Sequence, residues 1–206
     1  METQTETRVP EIMQVALFAA LIILLAVTPL LQYLPLGCAR AALIHIPVIV
    51  GSLILGPKKG ALLGLVFALT GFLTTASDPD TSLLILTPLK ASGKLHDQIG
   101  TVAASFLPRI LVGIIPYYVY LGMGIITDRQ IPALAMAGLL GTFINAPLVS
   151  SFIHDIFRNT ALAISGLNPE IIWQFLLSIP KTHGIPEAAI AAVLVSLICR
   201  ILLRIK

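Results

Sequence analysis

Charged residues are scarce in this sequence: Asp, Glu, Lys and Arg make up 11% of 206 residues, against about 25% in an average soluble domain. Hydrophobic residues make up 57%. So little charge excludes an ordinary soluble enzyme, and so many apolar residues exclude a disordered chain. The composition therefore predicts a membrane domain. Because a spanning helix needs roughly 20 residues, six helices would use about 120 and leave room for two long loops.

Cysteine is nearly absent, since Cys38 and Cys199 are the two in the chain. They fall at opposite ends of predicted helices, about 30 Å apart across a bilayer, whereas a disulfide tolerates a Cα separation of about 7 Å. We expect no disulfide. The first apolar run also lacks a small-residue cleavage site, which predicts that this helix stays in the mature protein and is not a signal peptide.

The phosphate-binding loop of an ATPase is also missing. Its nearest match, residues 51–58, reads GSLILGPK, where Pro57 takes the lysine position and removes a backbone amide. We therefore expect no ATP hydrolysis by this chain and no cofactor in it. The four histidines follow no metal-ligand spacing, so we expect no metal site. His154 and Asp155 are adjacent and cannot easily orient one another on a helix, which disfavours a hydrolase triad.

Apolar runs separated by Pro, Gly and charged turns predict an all-α integral membrane protein of six transmembrane helices in a single domain, residues 1–206. The predicted helices span 12–32, 42–55, 60–76, 108–126, 132–153 and 187–205, with long loops over 77–107 and 154–186. Placing both termini in the cytoplasm puts the bases of the short loops and tails inside and both long loops outside. The basic residues are scattered singly, so nucleic acid is not an expected partner despite the net charge of +3.

Small residues recur every four positions on several predicted helices, and such ridges let helix backbones approach closely in lipid. Three ridges predict packing inside the bundle: Gly60, Gly64 and Ala68; Ala133, Ala137 and Gly141; Ala188, Ala192 and Ser196. Ala16 and Ala20 form a further ridge on the first helix.

Two polar residues lie where apolar ones are expected. Arg109 follows Pro108 at the predicted start of helix four, where a guanidinium would add to the positive end of the helix dipole and make an anion site. Asn145 lies two-thirds of the way along helix five, on the ridge of Gly141, so it faces protein and not lipid. The alternatives are an arginine that reaches the outer headgroups and an asparagine that makes one interhelical hydrogen bond.

Both residues fall in the predicted outer half of the bilayer, beneath the long loops, which predicts a pocket open to the outside. A guanidinium suits a carboxylate, and an amide suits hydroxyl or peptide groups, so the expected ligand is a small amphipathic anion. The candidate apolar walls are Phe72, Tyr117 and Trp173. His45, on the same predicted side of the membrane, completes the candidate substrate-binding residues.

Nearly the whole chain resembles the substrate-binding S component of an energy-coupling factor (ECF) vitamin transporter, through its six helices with cytoplasmic termini, its Ala16-x-x-x-Ala20 pair and its lack of an ATPase motif. Within that family, the run IHIPVIVGSLILGPKKGALLGLVFALTGF at 44–72 and PRILVG at 108–113 are similar to the pantothenate-specific members. The resemblance implies capture of pantothenate outside a bacterial cell.

The resemblance also implies partners. The chain would join a membrane-embedded T component and two cytoplasmic ATPases that use ATP, and Ala16 and Ala20 would pack on the T component. It further implies that the S component topples in the membrane to carry its site from the outer to the inner face.

Other functions stay open at this point. They are an S component for a different vitamin, a stand-alone secondary carrier, and a membrane-embedded hydrolase that uses His154 and Asp155. The carrier is disfavoured because acidic residues such as Asp128 and Glu187 lie at predicted helix ends, so no proton relay is apparent.

Overall fold

The computed structural model describes residues 3–28, 33–36, 39–77, 95–157 and 184–205. Within these ranges the chain forms six α-helices and an antiparallel β-hairpin. The helices are α1 (Thr3–Val27), α2 (His45–Leu55), α3 (Pro57–Ser77), α4 (Leu95–Ile126), α5 (Gln130–Phe157) and α6 (Ile185–Ile205), and the strands are β1 (Tyr33–Leu36) and β2 (Ala39–Ala42). The predicted helical bundle is confirmed, and the hairpin between α1 and α2 adds to it.

The short helix α2 lies at the centre of the bundle. Every residue from His45 to Leu53 is buried, and all five other helices contact α2. Gly56 ends the helix with a φ of 89°, and its N–H donates to the carbonyl of Ser52 at 2.9 Å. Pro57 then begins α3, where its fixed φ and missing N–H suit a first helical position. The Gly-Pro pair therefore reverses the chain with one linking residue.

Glycines bring the backbones of α3 and α4 into contact. Gly60 of α3 faces Gly113 of α4, and a methyl group built on Gly113 would lie 2.6 Å from the carbonyl carbon of Gly60. One turn further along α3, a methyl group built on Gly64 would lie 2.5 Å from the carbonyl oxygen of Arg109. No side chain larger than hydrogen fits at these positions without separating the helices.

Small residues also set how α5 packs. A methyl group built on Gly141 would lie 2.7 Å from Cγ of Pro116 in α4 and 3.1 Å from Cδ1 of Ile49 in α2. One built on Gly138 would lie 2.9 Å from the carbonyl oxygen of Ala191 in α6. The members of the internal ridges are buried at all but one position: Gly60, Gly64, Ala68, Ala133, Ala137, Gly141, Ala188 and Ser196. These ridges pack inside the bundle as predicted.

The side chains on the outside of the bundle are apolar. Leu17 is 69% exposed and Ile125 is 89% exposed, and large apolar side chains on every other long helix are also exposed. An apolar exterior of this extent is typical of a protein surrounded by lipid. In the described residues, the helical segments Ser105–Ile126 and Ile185–Leu203 are long and apolar enough to cross a bilayer, and Glu11–Val27, His45–Leu55 and Gln130–Phe143 are shorter apolar segments.

Three predicted helix bounds, in two helices, are wrong. Helix α4 begins at Leu95, inside the predicted loop 77–107, and not at 108. The polar residues after Leu95 predict a loop, whereas the helix runs through them. Helix α1 starts at Thr3 and ends at Val27 instead of spanning 12–32, since a proline two residues later disfavours further helix. The other described helix ends lie within four residues of the prediction.

The bundle has two distinct ends. We define the loop end as the end at which α2, α4 and α6 begin and α3 and α5 finish. Near it, Oε1 of Glu187 in α6 lies 3.2 Å from Nδ1 of His45 in α2. Away from it, the ammonium of Lys59 near the start of α3 pairs with the carboxylate of Glu11 in α1. The two contacts tie α6 and α1 to the central helices at different levels.

We expect Gly64→Leu to lower the thermal unfolding temperature of the protein in detergent micelles. The new Cβ would meet a backbone carbonyl, which cannot move without separating α3 from α4, and overpacking of this kind costs about 1–3 kcal/mol. Gly124→Leu is the matched control, because nothing lies within 4 Å of a methyl group built there. Equal unfolding temperatures for the two variants would contradict the close contact.

Candidate substrate-binding site

The guanidinium of Arg109 lies between α3 and α4 and is half-buried. Its Nη1 donates to the carbonyl of Ser105 at 2.6 Å, and its Cζ lies 5.2 Å from the centre of the Phe67 ring. Gly71 borders the group on the α3 side, where a methyl group would lie 3.2 Å from Nη2 and 3.3 Å from Cζ and Nε. A carbonyl, an aromatic face and a glycine thus fix the position of this cation.

Arg109 does not lie at a helix N-terminus. Helix α4 begins at Leu95, fourteen residues earlier, so the unpaired amides and the positive end of the dipole lie at the loop end and not beside Arg109. The predicted site at a helix start is therefore wrong. Pro108 lies inside the helix, where its missing N–H leaves the carbonyl of residue 104 without its usual donor. The guanidinium itself, and not the helix dipole, supplies the positive charge.

An aromatic pair lies beside this cation. The rings of Phe72 in α3 and Phe106 in α4 are tilted by 54°, with their centres 6.0 Å apart. On α3, the hydroxyls of Thr70 and Thr74 donate to carbonyls of their own helix at 2.9 to 3.1 Å. The wall role of Phe72 stays a prediction.

The structure does not bring Tyr117 to the same place. It lies eight residues after Arg109 in α4, about 12 Å along the axis and away from the loop end. Its ring packs edge to face on Tyr118, with the centres 5.8 Å apart. The predicted wall role of Tyr117 therefore does not fit a site at Arg109. Trp173, the other predicted wall residue, lies outside the described residues.

His45 is buried at the first position of α2, with 3% of its surface exposed. Its Nδ1 contacts the carboxylate of Glu187 at 3.2 Å. Its Nε2 is buried and has no hydrogen-bond partner among the described residues, as is also true of Oγ of Ser52. No group of three or more His, Cys, Asp or Glu in the described part of the chain could hold a metal ion.

His45 and Arg109 approach the same level of the bundle. A methyl group built on Gly60 would lie 2.8 Å from Cβ and Oγ of Ser52, so these residues mark a common level on α3 and α2. Phe67 lies seven residues after Gly60 in α3, and His45 lies seven residues before Ser52 in α2. Both are therefore about 10 Å from the common level, toward the loop end. Because the Arg109 guanidinium lies over Phe67, the imidazole and the guanidinium occupy the same half of the bundle.

Asn145 belongs to α5 and lies one turn beyond Gly141, on the loop-end side. Its side chain lies outside the described residues, as do those of His154 and Asp155. Since Gly141 contacts both α2 and α4, residue 145 follows that contact toward the half of the bundle that holds His45 and Arg109.

Ala16 and Ala20 lie on the outside of α1. Both are exposed, unlike the buried small residues of the other ridges. Exposed apolar side chains share their face of the helix: Met13, Leu17 and Leu24. The α1 ridge therefore forms a low strip on an apolar surface, of the kind that lets a second helix approach closely.

A helical bundle with an apolar surface of this extent is typical of a membrane protein. A sequence model of the family "ECF transporter, substrate-specific component" matches residues 11–199, and the chain belongs to this family. The chain is also 34% identical over 163 residues to the pantothenic acid transporter PanT of Lactococcus lactis subsp. cremoris strain MG1363, covering 77% of this chain and 76% of that protein. The predicted family is thus confirmed.

Sequence reasoning missed Phe67, Gly71 and Glu187. Phe67 and Gly71 are four residues apart and therefore share a face of α3, which was a usable signal. The shared face alone does not identify Arg109 as the neighbour, because a start of α4 at residue 108 leaves the direction of the Arg109 side chain undefined. The sequence predicts Glu187 only as a charge at a helix end. Its contact with His45 joins residues 142 positions apart, which no local pattern can indicate.

Proposed function

We propose that this chain is the substrate-binding subunit of an ECF-type importer and that its substrate is pantothenate. The observation that carries the proposal is the fixed guanidinium of Arg109, held by Ser105, Phe67 and Gly71. A carboxylate is the natural partner of such a group, and pantothenate carries one. Membership of the S-component family and 34% identity to a pantothenic acid transporter support the choice of substrate.

Each candidate residue has a proposed role at this site. Arg109 pairs with the carboxylate, and the ring of Phe72 covers the apolar part of the ligand. Asn145 binds the amide or hydroxyl groups, and His45 lies on the side of the hydroxyl-bearing end. The shared level of His45 and Phe67 supports a ligand that extends between α2 and α4.

Transport requires partners in this proposal. The chain docks on a T component through Ala16 and Ala20, and two cytoplasmic ATPases supply the energy from ATP. The exposure of this pair, in contrast with the burial of the other ridges, supports a role for it outside the bundle. The subunit topples when docked and so carries its ligand from the outer to the inner face.

The proposed location is the bacterial cell membrane, with six spans and both termini in the cytoplasm. The loop end then faces the outside. The apolar exterior and the spans Ser105–Ile126 and Ile185–Leu203 support this placement. Arg109, in the first turn or so of the Ser105–Ile126 span, lies near the outer surface, where a ligand arrives.

We expect Arg109→Ala to weaken pantothenate binding roughly 30-fold or more, because losing a charge-assisted contact in a partly dry pocket costs about 2–5 kcal/mol. Calorimetry on the protein in nanodiscs measures the dissociation constant. Arg129→Ala is the control, since Arg129 lies exposed in the turn after α4. The neutral alcohol analogue of pantothenate, which lacks the carboxylate, should bind weakly to the parent protein and to Arg109→Ala alike. Unchanged affinity in a folded Arg109→Ala variant would refute the carboxylate role.

Asn145→Leu should also weaken pantothenate binding, by roughly tenfold, because the leucine cannot replace the amide's hydrogen bonds. Circular dichroism should show the same helix content as the parent protein. A variant that unfolds, while its rescued folded fraction binds normally, would instead assign Asn145 to helix packing.

Ala16→Trp should block uptake into liposomes by the complete complex, because the indole prevents a helix from reaching the α1 backbone. Pantothenate binding by the isolated subunit should be unchanged, since the site lies on α2 to α5. Ala189→Trp, at an exposed alanine of α6, is the matched control and should co-purify with the ATPases. Transport by the lone chain, or normal uptake with Ala16→Trp, would exclude this coupling in favour of a stand-alone carrier.

A further inference from the structure

The two ring nitrogens of His45 have different surroundings. Nδ1 lies 3.2 Å from Oε1 of Glu187, whereas Nε2 is buried without a hydrogen-bond partner among the described residues. The two ring nitrogens point in nearly opposite directions, so Nε2 faces away from Glu187. Because the residue is 3% exposed and Nε2 itself is buried, this nitrogen is shielded from solvent.

The contact with Glu187 decides what Nε2 can do. A carboxylate accepts hydrogen bonds, so the proton of the imidazole lies on Nδ1. A neutral ring then carries a lone pair on Nε2. This state is favoured over a charged ring, because a buried N–H without a partner costs more than a buried lone pair without one. Nε2 is therefore a buried acceptor to which no described residue donates.

We propose that Nε2 of His45 accepts a hydrogen bond from a hydroxyl group of the bound ligand, and that Glu187 is the positioning residue that keeps Nε2 free of a proton. This inference rests on the proposed function, in which the ligand is a hydroxylated acid such as pantothenate. It assigns the selectivity of the site for hydroxylated ligands to α2 and α6, while the selectivity for the carboxylate lies with Arg109 between α3 and α4.

The arrangement of the helices supports this division. His45 and Phe67 lie at the same distance from the level of Ser52 and Gly60, and the Arg109 guanidinium lies over Phe67. Helix α2 contacts α3 and α4 as well as α6. The two groups that the proposed ligand would contact therefore lie in the same half of the bundle. If instead the His45–Glu187 contact only holds α2 against α6, removing it should change the affinity for every ligand by the same factor.

The test compares two ligands on the full-length chain in nanodiscs by calorimetry. One is pantothenate, and the other is N-(3,3-dimethylbutanoyl)-β-alanine, which keeps the carboxylate and the amide but lacks both hydroxyls. The ratio of their dissociation constants measures the preference for hydroxyls. The ratio between pantothenate and its neutral alcohol analogue measures the preference for the carboxylate.

Two substitutions at His45 separate the two nitrogens. The amide of His45→Asn reaches the position of Nδ1 but places no acceptor near Nε2, so the preference for hydroxyls should fall roughly tenfold. The longer side chain of His45→Gln places an amide oxygen near the position of Nε2 and should retain most of that preference. Neither substitution should alter the preference for the carboxylate.

Glu187 gives a second and independent pair of variants. Glu187→Gln keeps an oxygen that accepts from Nδ1–H and should leave the preference for hydroxyls close to that of the parent protein. Glu187→Leu removes this acceptor, which frees the proton to occupy either nitrogen, and the preference should fall. If Glu187→Leu does not fold, the comparison of His45→Asn with His45→Gln still tests the inference.

The outcomes are distinct. Equal losses of affinity for all three ligands in His45→Asn would overturn the inference and leave a structural tie, with the proposed function intact. An unchanged preference for hydroxyls in His45→Asn would do the same. No binding of pantothenate by the parent protein would instead refute the proposed substrate, and the hydroxyl contact with it.

Discussion

The backbone contact between α3 and α4 is the constraint on which the site depends. Lipid gives helices no hydrophobic drive to associate, so close van der Waals contact has to hold them. Gly60, Gly64 and Gly113 provide it by removing every side chain from the crossing. The same contact sets the register of the two helices, and the register places Phe67 and Gly71 against the guanidinium of Arg109. A slide by one turn would move the arginine about 5.4 Å from these neighbours.

The burial of the central helix α2 restricts where polar side chains can lie on it. A helix buried on all sides cannot present a charged side chain to water, and its residues from Ile46 to Leu53 are accordingly apolar or small. Its titratable residue is His45 at the first position, where Glu187 of α6 contacts one ring nitrogen. Because the imidazole lies at the helix end, it does not interrupt the packing of the residues from Ile46 to Leu53.

The sequence predicted the turn between α2 and α3 because Gly56 and Pro57 act locally, through a positive φ and a fixed φ. The internal ridges were also predictable, since their spacing lies within one helix. The start of α4 was not, because Pro108 fits both a first turn and a helix interior. The wrong start put Arg109 beside the positive end of the helix dipole, which in fact lies near Leu95. The contacts of Arg109 and His45 join different helices, and a single sequence carries no signal for them.

The length of α4 has a consequence for how an anion meets Arg109. The apolar segment Ser105–Ile126 accounts for one bilayer thickness, about 33 Å at the rise of an α-helix. In the proposed placement, the ten residues from Leu95 to Ala104 extend about 15 Å beyond the hydrocarbon layer. In that placement Arg109 lies one turn inside this boundary, where its charge is close to water and avoids most of the Born penalty of the bilayer centre. The field of the guanidinium would then reach an anionic ligand within about a Debye length, roughly 8 Å at physiological salt, before the ligand loses its hydration.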